Sequence, residues 1–196
     1  MADEHRPSII ILAGPNGAGK STSAPFVLQR TLGVHEFVNA DVIARELSPD
    51  DVDRAAIAAG RVMLTRLRDL ARRRVSFAFE TTLSSRSFAP WLSSLRVSGY
   101  DVDVQFFWLP SAEFAIERVA QRSGTGGHSV PAEVVRRRHR AGIRNFFSLY
   151  EPIATTWTLY DASGQQPVVV AERVGIEPRK VYDGAIWAQV TESGTT

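Results

Sequence analysis

The chain opens its ordered pattern with Ser8-Ile9-Ile10-Ile11-Leu12-Ala13, an unbroken apolar and branched run. Such a run suits a strand buried on both faces. Similar runs recur at Val75–Glu80, Tyr100–Leu109, Thr156–Asp161 and Val168–Val174, with a shorter one at His35–Asp41 that ends in an acid. Helical spacing fills the gaps. Phe26, Val27 and Leu28 predict a first helix that Pro25 should bend or delay, closed by Leu32-Gly33-Val34. Ser48-Pro49-Asp50-Asp51 reads as a helix start, with a serine cap, a first-turn proline and acids near the positive end of the dipole. Ile57, Gly60, Met63, Leu64, Leu67 and Leu70 carry that helix on to Arg72-Arg73-Arg74, whose charge suits its carboxyl end. Further helices are predicted over Ser84–Gly99, interrupted near Pro90, from Ser111, over Ala132–Tyr150, and over Val181–Val190, with Glu192–Thr196 as a frayed tail.

Strands alternating with helices predict an α/β fold with a mainly parallel central sheet flanked by helices. No repeat or linker interrupts the pattern, so residues 1–196 read as a single domain.

The first strand runs straight into Gly14-Pro15-Asn16-Gly17-Ala18-Gly19-Lys20-Ser21, which matches the phosphate-loop pattern G-x-x-x-x-G-K-[ST]. Strand, glycine loop and helix in that order are the context this pattern needs. Glycines let backbone N–H groups curl around phosphate oxygens, and the following helix adds its positive end. Gly14 through Thr22 are therefore the expected ATP-binding residues, with Lys20 on the β- and γ-phosphates and Ser21 on Mg²⁺.

Composition sharpens this reading. Of the 23 lysines and arginines only Lys20 and Lys180 are lysine, so a lysine in the loop is not generic surface charge. Arginine's planar fork suits phosphate, and a proteome-wide preference for arginine accounts for the same bias. A net charge of +2 with no nucleic-acid module argues against nucleic acid as partner. The absence of cysteine excludes disulfides and thiolate metal sites. The polar start Met1–Arg6 and the lack of a long apolar run point to a cytoplasmic chain without a membrane role.

In open α/β sheets ligands sit beyond the carboxyl ends of the strands. Asp41, Glu80 and Asp161 fall at or just past such ends. Phosphoryl transfer needs one acid at the attacking hydroxyl and another at Mg²⁺ or its waters, which fits Asp41 and Glu80. Asp161, in Asp161-Ala162-Ser163-Gly164, reads better as a turn residue. Arg118 and Arg122 share a helix face before the glycine-rich stretch Gly124–Gly127, which together suggest a small mobile lid over about residues 118–135. Arg136, Arg140 and Arg144 form a stripe on the next helix that reads first as a solvated face.

The combination of Gly14–Ser21, Asn39-Ala40-Asp41, Phe79-Glu80-Thr81-Thr82, Ile116-Glu117-Arg118 and Gly126-Gly127-His128-Ser129-Val130-Pro131 resembles the zeta-toxin family of P-loop kinases. The resemblance covers roughly Ile9 to Asp161 and implies the P-loop NTPase fold. It implies ATP-dependent phosphorylation of a hydroxyl on UDP-N-acetylglucosamine, a small-molecule acceptor, and an antitoxin protein restraining some members. By position, Lys20 and Ser21 bind ATP–Mg²⁺, Asp41 is the base, Glu80 contacts sugar or Mg²⁺ beside Thr81, and Arg118 clamps phosphate. The family's second lid arginine is replaced here by His128, with Arg122 as substitute. Transporter ATPases share the loop spelling, but their Leu-Ser-Gly-Gly-Gln segment is missing. A nucleotide-dependent regulatory ATPase without an acceptor is the alternative.

Overall fold

Strand β1 (Ser8–Ala13) occupies the middle of a seven-stranded sheet, and every residue from Ile9 to Ala13 is fully enclosed. The computed structural model describes residues 6–29, 34–49, 51–123 and 130–195. The other strands are β2 (Glu36–Val38), β3 (Phe77–Thr81), β4 (Asp101–Trp108), β5 (Thr156–Asp161), β6 (Val168–Val174) and β7 (Lys180–Val181). Their order across the sheet is β2-β3-β1-β4-β5-β6-β7. The first five run parallel, and β6 and β7 are antiparallel to their neighbours. This is the expected α/β arrangement, with an antiparallel edge added.

Two helical layers cover the sheet because the side chains of β1 alternate between its faces. Ile9 and Ile11 pack with α2 (Ala40–Leu47), α3 (Val52–Arg72), α4 (Phe88–Val97), the second half of α6 (Ala132–Asn145) and α7 (Gly184–Thr195). Ile10 and Leu12 pack with α1 (Lys20–Gln29) and α5 (Ala112–Ser123). Helix α6 ends in a π-helical turn, Phe146–Tyr150, which drives Phe146 against Phe106 and Trp157. No described helix is long and apolar enough to cross a membrane.

Several boundaries differ from the sequence expectations. Helix α1 is not delayed by Pro25: it starts at Lys20, since the Ser23 N–H already bonds the Gly19 carbonyl at 2.9 Å. The strand expected to reach Asp41 stops at Val38, and Asn39 caps an additional helix, α2. Ser48 therefore ends α2 rather than starting α3, whose cap is Asp51 through a bond to the Arg54 N–H. Pro90 falls in the first turn of α4, where its missing N–H costs nothing, so it interrupts no helix. The tail is not frayed, since α7 continues to Thr195 with Val190 fully buried.

Candidate active site

The glycine loop leaves β1 at Gly14, whose φ of 137° lies where only glycine is relaxed. Gly17 also has positive φ, and a Cβ there would meet the Ala115 carbonyl oxygen at 2.8 Å. The loop is thus wedged against α5. Lys20 curls back over the loop, donating to the Pro15 carbonyl at 2.9 Å. Burial pulls its pKa below the usual lysine value, against the opposing pull of Glu80 and Asp41.

Glu80, at the carboxyl end of β3, gathers the polar centre. Its Oε2 accepts from the Ser21 hydroxyl at 2.6 Å and from the Asn39 side-chain amide at 2.8 Å. Its Oε1 lies 3.6 Å from the Lys20 ammonium. Asn39 is buried and uses both ends of its amide: the nitrogen holds Glu80, and the oxygen accepts from the N–H groups of Asp41 and Val42. Asp41 therefore enters the site from the first turn of α2, anchored to the same carboxylate that faces Ser21.

Two cavities meet across this centre. One, about 370 Å³, is walled by the loop with Ser21, Thr22, Arg118 and Arg122. The other, about 420 Å³, opens toward α3 and α4 and is walled by Arg61, Leu64, Thr81, Thr82, Phe88 and Arg138. Asn16, Lys20, Asp41 and Glu80 line both. The structure thus brings Lys20, Ser21, Thr22, Asp41, Glu80, Thr81, Arg118 and Arg122, each a candidate from the sequence, to the walls of these two cavities.

Arg118 reaches the first cavity but commits its guanidinium to backbone. Its two terminal nitrogens donate to the carbonyls of Ala162, Ser163 and Gly164 at 2.8 to 2.9 Å. Asp161 behaves as a turn residue, accepting from the Ser163 N–H at 2.9 Å. Arg136 pairs with Glu113 at 3.0 Å and lines neither cavity. His128 and the stretch 124–129 lie outside the described residues.

Arg138 is a site residue the sequence reading missed. A signal existed in the spacing Val135, Arg138, Gly142, Asn145, which marks the sheet-facing side of α6 and is offset from the charged stripe. Asn145 donates to the Leu83 carbonyl at 2.8 Å, and His139 contacts the Leu109 carbonyl at 3.0 Å through Nε2. These contacts fix α6 over the strand ends and aim Arg138 at Asn16.

Loop, strand, helix and parallel sheet together define a P-loop NTPase with a kinase-like α/β fold. The chain belongs to the AAA domain family (AAA_33), which matches residues 9–149. It is 27% identical to an uncharacterized protein of Haemophilus influenzae over 130 residues, 66% of this chain and 91% of that one. Among solved structures, the AvrRxo1-ORF1:AvrRxo1-ORF2 complex with sulphate ions is similar with a TM-score of 0.75 and 18% identity, over 97% of this chain and 65% of that one. The same complex with ATP gives 0.72 and 19%, over the same shares. The PezAT chromosomal toxin–antitoxin system of Streptococcus pneumoniae gives 0.63 and 16%, over 84% of this chain and 71% of that one. At such identities the likeness is one of fold, and this chain spans 65% of the length of the AvrRxo1 chain it matches.

Proposed function

We propose that this protein is an ATP-dependent kinase that phosphorylates a hydroxyl of a small, nucleotide-sugar-like acceptor, as the UDP-N-acetylglucosamine kinases it resembles do. The observation that carries this reading is the pair of cavities sharing Asn16, Lys20, Asp41 and Glu80. A hydrolase needs room for water beyond the phosphates. A second cavity of about 420 Å³ with a carboxylate at its entrance is room for a molecule. Its wall combines hydroxyls (Thr82, Ser85), a cation (Arg61) and apolar surface (Leu64, Phe88), which suits a polyhydroxylated, anionic acceptor with a ring.

In this reading the loop amides and Lys20 hold the nucleotide phosphates. Mg²⁺ favours oxygen ligands and keeps most of its waters, so one or two protein oxygens suffice. The Ser21 hydroxyl and Glu80 Oε2 supply such a pair and would hold it. Mg²⁺ would there supply positive charge to offset the negative charge of the nucleotide phosphates. Asp41 accepts the acceptor's hydroxyl proton as its oxygen bonds to phosphorus. Asn39 sets where that carboxylate stands relative to Glu80.

A protein partner of antitoxin type is part of the proposal, since one similar structure is a toxin–antitoxin system and another a two-protein complex. The reaction belongs where ATP and Mg²⁺ are supplied, in the cytoplasm. Incubation with ATP, Mg²⁺ and a panel of hydroxyl metabolites that includes UDP-N-acetylglucosamine, followed by mass spectrometry, tests it. A product gaining one phosphoryl group is expected. Asp41→Asn should retain ATP binding while product formation falls by about 10²–10⁴. ADP release that no acceptor accelerates would instead make the protein a nucleotide-dependent regulator.

A further inference from the structure

Arg138 is held where the two cavities join. Its Nη1 donates to Asn16 Oδ1 at 3.3 Å, and Asn16 belongs to the phosphate loop. The side chain is partly enclosed, and it shares the acceptor cavity with Asp41 and Lys20. Burial pushes its pKa down, and the Asp41 carboxylate opposes that push. No carboxylate among the described residues lies within ion-pair distance of it. A guanidinium taken partly out of water with one neutral amide as partner is poorly compensated until an anion reaches it.

The place of that anion follows from the neighbours. Asn16 lines both cavities, so a negative group beside it stands between donor and acceptor. Of the arginines nearby, Arg118 is committed to three carbonyls and Arg136 to Glu113, while Arg61 and Arg122 each wall one of the two cavities. Helix α6 cannot drift to relieve Arg138, since a Cβ at Gly142 would meet the Thr82 carbonyl oxygen at 2.5 Å and Asn145 is tied to Leu83.

We infer that Arg138 is a catalytic residue whose guanidinium contacts the phosphoryl group in transit between nucleotide and acceptor. The inference rests on the kinase reading above. In the step, the acceptor oxygen bonds to the γ-phosphorus, and the bond from that phosphorus to the β-phosphate oxygen breaks. ADP leaves with the electron pair, and the hydroxyl proton passes to Asp41. Charge spreads over the three equatorial oxygens of the transferring group, and an arginine aimed there acts chiefly on the transition state.

Binding of ADP alone and of ADP with Mg²⁺ and aluminium fluoride, a mimic of the group in transit, tests this on the full chain without knowledge of the acceptor. Wild type should bind the mimic far more tightly than ADP. Arg138→Gln should keep ADP affinity within about threefold and lose at least about 10²-fold in affinity for the mimic. Arg138→Lys should fall between them, and Arg137→Gln, one residue away and exposed, should match wild type. An unchanged melting temperature establishes that Arg138→Gln is folded. Undiminished binding of the mimic by Arg138→Gln overturns the inference, as does an equal loss of ADP and mimic. A wild-type protein that binds no nucleotide overturns the kinase reading and this inference with it.

Discussion

Glu80 shows how much a single carboxylate can coordinate when its partners arrive from distant parts of the chain. Lys20 and Ser21 come from the first turn of α1, and Asn39 from the cap of α2. Each interaction is charge-assisted, which strengthens it relative to a neutral hydrogen bond. Asp103 is the opposite case. It sits on β4 with Gln105 donating at 2.7 Å, and burial raises its carboxyl pKa from 3.8 to about 6. A carboxyl that holds its proton more tightly when folded favours the folded state only at low pH. Stability should therefore decline as pH rises from about 4 to about 6, and level off above that. Asp103→Asn keeps an oxygen for Gln105 and removes the charge. It should flatten that decline and raise Tm at pH 8 by about 2–4 °C, the equivalent of about 1 kcal/mol in a chain of this size. Thermal melts of both proteins across pH 4–8 check this, and identical slopes would refute it.

Among the elements, α2 and α6 do most to build the site, and each was misread for a physical reason. Helix α2 is only eight residues long, too short for a clear period, and its acid Asp41 looks like the end of a strand. The cap was nevertheless visible, as an asparagine followed two residues later by an acid. Pro131 predicts the start of α6 correctly, but charge spacing alone does not tell which of its arginines faces the sheet. Its approach to the sheet depends on Gly142. Gly142→Ala should push α6 off the Thr82 backbone, lower stability by about 1–3 kcal/mol and withdraw Arg138 from Asn16. Urea unfolding together with affinity for the aluminium fluoride complex measures both effects. A fully stable variant with unchanged affinity would mean that α6 is not fixed at this point.

For the whole molecule, the far end of the sheet is closed by α7, whose Trp187 stacks on Trp157 at 5.9 Å with Phe147 edge-on beside it. Trp187→Ala should cost about 3 kcal/mol, the lower end for such truncations, since Trp187 is only half-buried. Nucleotide binding should survive while the variant stays folded, because Trp187 lines neither cavity. Chemical denaturation and an ATP-binding titration check the two halves. What was legible from sequence is what short spacing dictates: the fully apolar β1, the glycine loop beyond it, the alternation that makes the sheet parallel, and the bounds of β5 and β6. Those features depend on residues within one turn or one strand of each other. Strand order is not local. The structure inserts β3 between β1 and β2, and only that places Glu80 against both Ser21 and Asn39. It likewise folds α6 back across more than a hundred residues to bring Arg138 to Asn16, a contact decided by packing against Thr82 and Leu83. Local pattern determined the elements and the loop chemistry. Long-range packing, which no spacing encodes, decided which acids and which arginine share the site.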